Sequence, residues 1–264
     1  MAEPEERFLD FVGYLYQNCP RCFEYNHITW TEKYNGEDGV FAVVLRTLIW
    51  NEDRSEKVFE GFGGFSRALD LYRTNRAKFE SWVNAKVQDI DFGFDGKGSH
   101  RDNRHKPPFA RALREYLELV GNSRQGFLAS LDTFDSPFHK LDQIYSIGPL
   151  TSFDICERLV RSNHGFFRVY PLNFHMTGGG VKRGLTMIFP NTSRIKQLET
   201  KGDELLLKLI SEKKIPQEIA CFELESIVCI CQKPNLKKFF EDLLEGRIEP
   251  YEFAKYYSNK QAID

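Results

Sequence analysis

Residues 141–160, LDQIYSIGPLTSFDICERLV, have the types and spacing of a phosphate-binding helical hairpin. Apolar residues recur at helical spacing on both sides of a Ser-Ile-Gly-Pro turn. We expect Gly148 to give the turn its conformational freedom and Pro149 to begin the second helix. Backbone N–H groups would then converge on a nucleic-acid phosphate, at the positive end of the helix dipole. The predicted DNA-binding residues here are Ile147, Gly148, Leu150 and Thr151. An ordinary pair of core helices is an equal alternative.

A second cluster, NFHMTGGGVKRGLTMIF at residues 173–189, places three consecutive glycines beside two cations. Consecutive glycines are costly in backbone entropy, which indicates that something approaches this backbone closely. We predict a glycine-rich loop over residues 177–184 whose N–H groups, with Lys182 and Arg183, surround a phosphate or a carboxylate. The predicted anion-binding glycines are Gly178, Gly179 and Gly180. No Walker pattern is present, and a purely structural glycine turn is the alternative.

Composition predicts a globular protein and excludes a bulk coater of DNA. The chain has 264 residues, of which 41% are hydrophobic and 14% aromatic, and we expect a single domain over residues 1–264. The formal net charge of -2 gives no overall attraction to nucleic acid, so any DNA contact must use a local basic surface. No signal segment and no long apolar run is present, so we expect a soluble, intracellular protein without a membrane partner.

Six cysteines raise the question of a metal site. The pairs Cys19/Cys22 and Cys229/Cys231 could be imagined as ligands of one metal, but the second pair is spaced too tightly for a structural zinc site. An iron–sulfur loop would need a compact group of four cysteines, which the sequence lacks. We therefore expect reduced, buried thiols, no metal and no cofactor.

Hydrophobic periodicity predicts a mainly α fold with one short β element at residues 165–172. The predicted helices cover residues 5–19, 40–51, 64–73, 75–87, 108–120, 123–131, 202–213, 216–232 and 234–257, besides the hairpin. Between them, residues 91–108 form a charged, glycine-containing segment that would contact DNA phosphates or gate the substrate, unless it is simply a solvated loop. Its predicted DNA-binding residues are Arg101, Arg104 and Lys106.

The two clusters in this order resemble the helix-hairpin-helix DNA glycosylase superfamily. Within it, the chain resembles the α-glutamyl/putrescinyl-thymine pyrophosphorylases, the amino acid:DNA transferases of bacteriophages. The motifs that carry the resemblance are RTLIWNEDR, IYSIGPLTSFD, GGGVKRGL and CFELESIVCICQKP, between residues 40 and 235. The resemblance implies a glycosylase-like helical fold and activity on DNA.

Two departures from the ordinary glycosylase pattern bear on the reaction. Leu150 stands where a bifunctional glycosylase has its Schiff-base lysine, just before the threonine of the hairpin. Residues 166–169, FFRV, stand near the position of the usual catalytic aspartate. Lyase and N-glycosidic chemistry are therefore disfavoured, and transfer to a modified base is preferred.

The resemblance implies a reaction in which an amine replaces the phosphate or pyrophosphate of an activated 5-hydroxymethyluracil base in phage DNA. Lys182, Arg183 and the glycines would hold the leaving phosphate. Asp154, with Glu157 one turn later, would deprotonate the amine of an amino acid or polyamine co-substrate, although Asp154 could merely stabilise the start of its helix. Such an enzyme would work in the cytoplasm of an infected bacterial host.

Further residues are assigned to substrate binding. Arg46 would clamp a carboxylate or else be a structural cation, and Asn51 would read a base edge or the substrate. His175 is a candidate acid or base, although a lone histidine is more often structural. A flipped base would stack on aromatic residues, which more often belong to a core. These are Phe166, Phe167, Tyr170 and Phe174. The alternatives are a glycosylase of modified or damaged bases and a non-catalytic DNA-binding module.

Overall fold

The structure, a computed structural model, describes residues 3–19, 33–49, 52–89, 106–122, 124–145, 147–162, 168–192 and 194–261. These residues form fourteen α-helices and no strand, so the prediction of a mainly α fold is confirmed. They group into two compact units. We call Met1–Asn26 with Tyr170–Asp264 the terminal unit and His27–Val169 the central unit, and we describe each by itself. The single domain stays a prediction.

The helices account for most of the described chain. In order they are α1 (Pro4–Asn18), α2 (Gly36–Ile49), α3 (Glu52–Phe62), α4 (Phe65–Thr74), α5 (Arg76–Asp89), α6 (Lys106–Asn122), α7 (Arg124–Ala129), α8 (Asp135–Asp142), α9 (Pro149–Ser162), α10 (Gly179–Ile188), α11 (Ile195–Ser211), α12 (Gln217–Cys231), α13 (Pro234–Leu244) and α14 (Pro250–Gln261). A 3-10 turn, Ser130–Asp132, follows α7. Of the described helices, none combines the length and the apolar character that a membrane crossing needs.

The terminal unit is built around α1, which packs against α11, α13 and α14. Pro4 occupies the first helical position of α1, and Glu3 and Glu6 form a reciprocal capping box that satisfies N–H groups at its start. Phe8 and Phe11 are fully buried on one face. The ring of Phe11 lies 4.6 Å from that of Phe253 in α14, in an edge-to-face arrangement. Together with the ring of Phe240, these rings join α1, α13 and α14.

The predicted single helix over residues 234–257 is wrong, because residues 245–249 interrupt it and separate α13 from α14. Gly246 follows α13 with φ of 75°, a left-handed conformation that ends the helix. Arg7 of α1 binds the chain on both sides of this interruption. Its Nε donates to the Leu243 carbonyl at 2.7 Å, and its Nη2 donates to the Ile248 carbonyl. The side chain thereby ties the end of α13 to the segment that leads into α14.

In the central unit, α2 is buried over almost its whole length. Its Phe41 ring stacks parallel to that of Tyr116 in α6, with centroids 6.0 Å apart. The turn between α3 and α4 runs through Gly63 and Gly64, both with positive φ. Asp38 of α2 fits against this turn and accepts a hydrogen bond from the N–H of Phe65 at 2.7 Å. These contacts fix α2, which then packs against α9.

The predicted β element is not formed by the part of it that the structure describes. Residues 168–172 adopt no strand, and residues 165–167 lie outside the described ranges. The N–H of Arg168 donates to the carbonyl of Leu131 at 3.1 Å, at the 3-10 turn. A strand requires a neighbouring strand to pair with, and the described surroundings of this segment are helical. The β-branched and aromatic residues therefore formed a misleading local pattern.

Candidate nucleic-acid and anion sites

The glycine cluster forms the beginning of a helix, and the predicted loop over residues 177–184 is corrected accordingly. Gly178 is extended, with φ of 178° and ψ of -177°, and directly precedes α10. Having no side chain, Gly178 cannot cap the helix, and no side-chain cap is present. The N–H of Lys182 donates to the Gly178 carbonyl at 3.2 Å, which opens the helical ladder. The N–H groups of Gly179 and Gly180 precede that ladder and lack helical acceptors.

The glycines of α10 divide into two groups by what surrounds them. A Cβ on Gly180 would lie 2.7 Å from Sγ of Cys229, and a Cβ on Gly184 would overlap the backbone carbonyl of Val228. These two glycines therefore allow α10 to pack closely on α12, which is the structural role left open by the sequence. Gly178 has no neighbour within 4 Å of such a Cβ, and Gly179 has Nη1 of Arg183 at 3.5 Å. Their backbone is open to a ligand.

A groove of about 460 Å³ begins at the start of α10. Its walls include Gly179, Lys182, Arg183, Gln232 and Lys237. Both predicted cations line it, together with a third cation from α13. Three positive side chains beside the positive end of a helix dipole favour an anionic group, especially one with several oxygens. Sequence reasoning found the glycines and the first two cations but missed Gln232 and Lys237.

Gln232 orients Arg183 toward the groove. The Nε of Arg183 donates to Oε1 of Gln232 at 3.0 Å, and Nε2 of Gln232 donates to the carbonyl of Cys229 at 2.9 Å. Because this arrangement engages Nε, the two terminal amino groups form the edge that can meet two oxygens of an anion.

Burial, helped by the charge of Glu225, raises the pKa of the Cys229 thiol to about 11. That thiol is therefore neutral near pH 7.

The segment leading to α10 is anchored at several points. The hydroxyl of Thr177 donates to the buried carboxylate of Glu225, and the N–H of Phe174 donates to Oδ1 of Asp203 at 2.6 Å. The Phe174 ring is buried against Gly202, which favours the alternative that this ring belongs to a core over stacking on a flipped base. His175 is half-buried between these anchors, and Tyr170 is also half-buried. Phe166 and Phe167 lie outside the described residues.

The hairpin contains the expected helix on each side of its turn, α8 and α9. The N–H of Ile147 donates to the Ile144 carbonyl at 2.9 Å, so that N–H is engaged within the turn, contrary to its predicted role. The N–H of Ser152 donates to the Gly148 carbonyl at 3.0 Å and is the first in the ladder of α9. Pro149 has no N–H. Leu150 precedes the ladder, and its N–H is the one that a phosphate would meet. Thr151, which was also predicted to contact DNA, is buried, with 4% of its surface exposed.

The turn does not require a glycine at position 148. Gly148 is exposed, its φ lies outside the left-handed range, and a Cβ built there has no neighbour within 4 Å. The predicted conformational reason for Gly148 is therefore wrong. A ligand approaching the backbone at this point would be a reason for the glycine that the fold itself does not supply.

We expect Gly148→Ala to leave the protein as stable as before and to weaken DNA binding. The new methyl group meets no protein atom but projects at the start of α9, and loss of one phosphate hydrogen bond would reduce affinity for plain duplex DNA roughly three- to tenfold. Thermal unfolding and fluorescence anisotropy measure the two effects. Unchanged affinity in Gly148→Ala would rule out a phosphate contact at this turn.

A stripe of four charged residues lies along α9, and it is nearly buried. They follow one another at helical spacing: Asp154, Glu157, Arg158 and Arg161. Nε of Arg161 donates to Oε1 of Glu157 at 2.9 Å. Nη1 of Arg158 donates to the hydroxyl of Thr47 in α2 at 3.2 Å. Buried charges are costly unless compensated, so this stripe is either a structural network or a polar site.

The predicted catalytic, substrate and DNA residues lie in both units, and some lie outside the described residues. Asp154 is 9% exposed in the second turn of α9, and Arg46 is partly exposed on α2, next to the Thr47 that binds α9. Both belong to the central unit, whereas Lys182 and Arg183 belong to the terminal unit. Asn51, Arg101 and Arg104 lie outside the described residues, as does the side chain of Lys106, the first residue of α6.

Metal chemistry and known relatives add no further assignment. Within the described ranges, no group of three or more His, Cys, Asp or Glu side chains could hold a metal ion. None of the five described cysteines, Cys19, Cys156, Cys221, Cys229 and Cys231, forms a disulfide. Comparison with models of protein families, with curated proteins and with solved structures finds no match to this chain.

Proposed function

We propose that this protein is a transferase that modifies bases in phage DNA. It would replace the phosphate or pyrophosphate of an activated 5-hydroxymethyluracil with the amine of an amino acid or a polyamine, in the cytoplasm of an infected bacterial host. The observation that carries the proposal is the cation-lined groove at the start of α10. The resemblance to the thymine pyrophosphorylase branch of the helix-hairpin-helix superfamily supplies the reaction class.

The reaction needs a site that stabilises a departing anion. The amine nitrogen forms a bond to the methylene carbon attached to the base, and the carbon–oxygen bond breaks with its electron pair leaving on the phosphate. The negative charge that develops on the leaving phosphate would be stabilised by Lys182, Arg183 and the N–H groups at the start of α10. Lys237, which also lines the groove, adds a third cation. The proton lost by the amine has to go to a base, and Asp154 is the candidate that the sequence offers for this role.

The substrate also has to be held by its backbone. The N–H of Leu150 would contact a phosphate at the start of α9, beside the open backbone of Gly148. A local phosphate contact of this kind is compatible with the formal net charge of -2, because such a contact does not need an overall positive charge on the protein. Arg46 would bind the carboxylate of an amino-acid donor.

We expect Asp154→Asn to reduce amine transfer about 100-fold or more and to leave folding and DNA binding intact. The amide has nearly the shape of the carboxylate but cannot accept the amine proton at neutral pH. Rates of transfer at saturating amine, with duplex affinity measured in parallel, check the prediction. Glu157→Gln tests whether the second carboxylate of α9, which is paired with Arg161, contributes as well. Undiminished transfer in Asp154→Asn would end its assignment as the base.

Mass spectrometry of digested nucleosides tests the function itself. DNA containing phosphorylated 5-hydroxymethyluracil is incubated with the protein and a mixture of amino acids and polyamines. A nucleoside that has lost phosphate and gained the mass of one amine supports the transferase and identifies the donor. Release of free base would assign a glycosylase instead. Salt-dependent duplex binding with no product would assign a non-catalytic DNA-binding module.

A further inference from the structure

Tyr145 is an exposed aromatic residue held firmly in place at the hairpin turn. Its side chain is 43% exposed, although it stands between the buried Ile144 and the start of α9. Its N–H donates to Oε2 of Glu115 in α6 at 2.6 Å. The guanidinium carbon of Arg111, also in α6, lies 4.0 Å from the centroid of the Tyr145 ring. One face of the ring is therefore covered by a cation.

The same two residues of α6 are bonded to each other. Nε of Arg111 donates to Oε1 of Glu115 at 2.7 Å, which closes a triangle of contacts among Arg111, Glu115 and Tyr145. Burial raises the pKa of Glu115, but the hydrogen bonds from the Tyr145 N–H and from Arg111 outweigh it and lower the pKa overall. The carboxylate is therefore ionised at neutral pH and accepts from both partners. The backbone and the ring of Tyr145 are fixed together.

A groove of about 310 Å³ adjoins this triangle through Arg111. Its other lining residues include Glu80, Asn84 and Arg114, and Nη1 of Arg114 lies 3.5 Å from Oε1 of Glu80. Guanidinium and amide donors thus stand beside a carboxylate acceptor. Such a lining can hydrogen-bond the polar edge of a nucleotide, whereas an apolar peptide would leave these groups without partners.

We infer that Tyr145 is a stacking platform for an unpaired nucleobase of the DNA strand whose phosphate lies at the start of α9. The inference rests on the proposed DNA substrate and deepens it, since it assigns DNA with an extruded base as the preferred form. An exposed aromatic ring with a guanidinium on one face can offer its other face as a π surface to any base. Enzymes that modify a base must take it out of the stack, which leaves unpaired bases for such a platform.

The test compares two fluorescently labelled duplexes, one fully paired and one with a single bulged nucleotide, by fluorescence anisotropy with the full chain. We expect the wild type to prefer the bulged duplex. Tyr145→Ala should lose roughly tenfold in affinity for the bulged duplex, with less than about twofold change on the paired one. Tyr145→Phe, which keeps the ring, should bind both duplexes as the wild type does.

Tyr251 provides a matched control. It is 44% exposed, its ring faces Nζ of Lys255 at 5.5 Å, and it lies in the terminal unit. Tyr251→Ala should change neither affinity. Equal binding of both duplexes by the wild type, or an equal loss on both in Tyr145→Ala, would overturn the platform.

Different experimental results would refute the stacking platform and the proposed transferase function. Bulge preference that depends on Tyr145, together with an absence of amine transfer in the nucleoside assay, would support the platform and refute the transferase. Amine transfer with Tyr145→Ala binding both duplexes as the wild type does would refute the platform alone.

Discussion

Removal of both cations at the start of α10, in Lys182→Ala with Arg183→Ala, should lower amine transfer about 100-fold or more. The reason is that both side chains line the groove proposed to receive the leaving phosphate, where negative charge develops during the reaction. Both are exposed, so folding should be unaffected. Affinity for plain duplex DNA should fall much less than the rate of transfer. Single-turnover transfer rates and anisotropy titrations provide the two values.

A matched double variant controls for the loss of two positive charges. Lys196 and Lys238 are exposed cations of the same unit, on α11 and α13, and their replacement by Ala changes the net charge equally. Transfer should be within about twofold of the wild type, since weak surface electrostatics at physiological salt act over only about 8 Å. Equal losses of transfer and of duplex affinity in the Lys182/Arg183 variant would reassign that pair as DNA anchors.

Gly184→Ala should destabilise the terminal unit by about 2–3 kcal/mol. The added Cβ would overlap the Val228 carbonyl, which is backbone of α12 and cannot turn aside as a side chain can. Relief requires α10 and α12 to move apart, which costs the contacts between two closely packed helices. Urea unfolding followed by circular dichroism gives the free energy of unfolding directly.

Gly179→Ala is the comparison on the same helix. A Cβ at Gly179 would approach only Nη1 of Arg183, at 3.5 Å, an ordinary contact with the end of a mobile side chain. Because alanine restricts the unfolded chain more than glycine does, this variant should equal or slightly exceed the wild type in stability. Equal destabilisation by the two substitutions would contradict the division of the glycines into packing and open positions.

The sequence predicted α1, α4, α5, α6 and α12 to within two residues of their bounds. It predicted neither α3 nor the first part of α11. α10 was expected to be a loop because glycine has a low intrinsic helix propensity, yet its packing against α12 needs glycine at positions 180 and 184. Tertiary contact thus reversed a local preference. The break after α13 also escaped prediction, since it depends on Arg7, far away in the chain.

For the candidate sites too, the sequence predicts only those residues that are neighbours along the chain. Lys182 and Arg183 adjoin the glycines in sequence and were found, but Gln232 and Lys237 join them only through the packing of helices. In the sequence, Tyr145 falls in the apolar spacing of the first hairpin helix, whereas the structure leaves its ring exposed against Arg111. A ring has the same hydrophobic signature whether it faces a core or a ligand. Only its surroundings in three dimensions distinguish the two.

The uncapped start of α10 has a consequence for how its role can be studied. Gly178, Gly179 and Gly180 would contribute to anion binding through main-chain amides, which every amino acid except proline also possesses. Alanine scanning of these positions therefore deletes none of the donors, and variation among homologous sequences would record them poorly. Amide-to-ester replacement, which exchanges one N–H for an oxygen, removes a single donor and preserves the course of the chain.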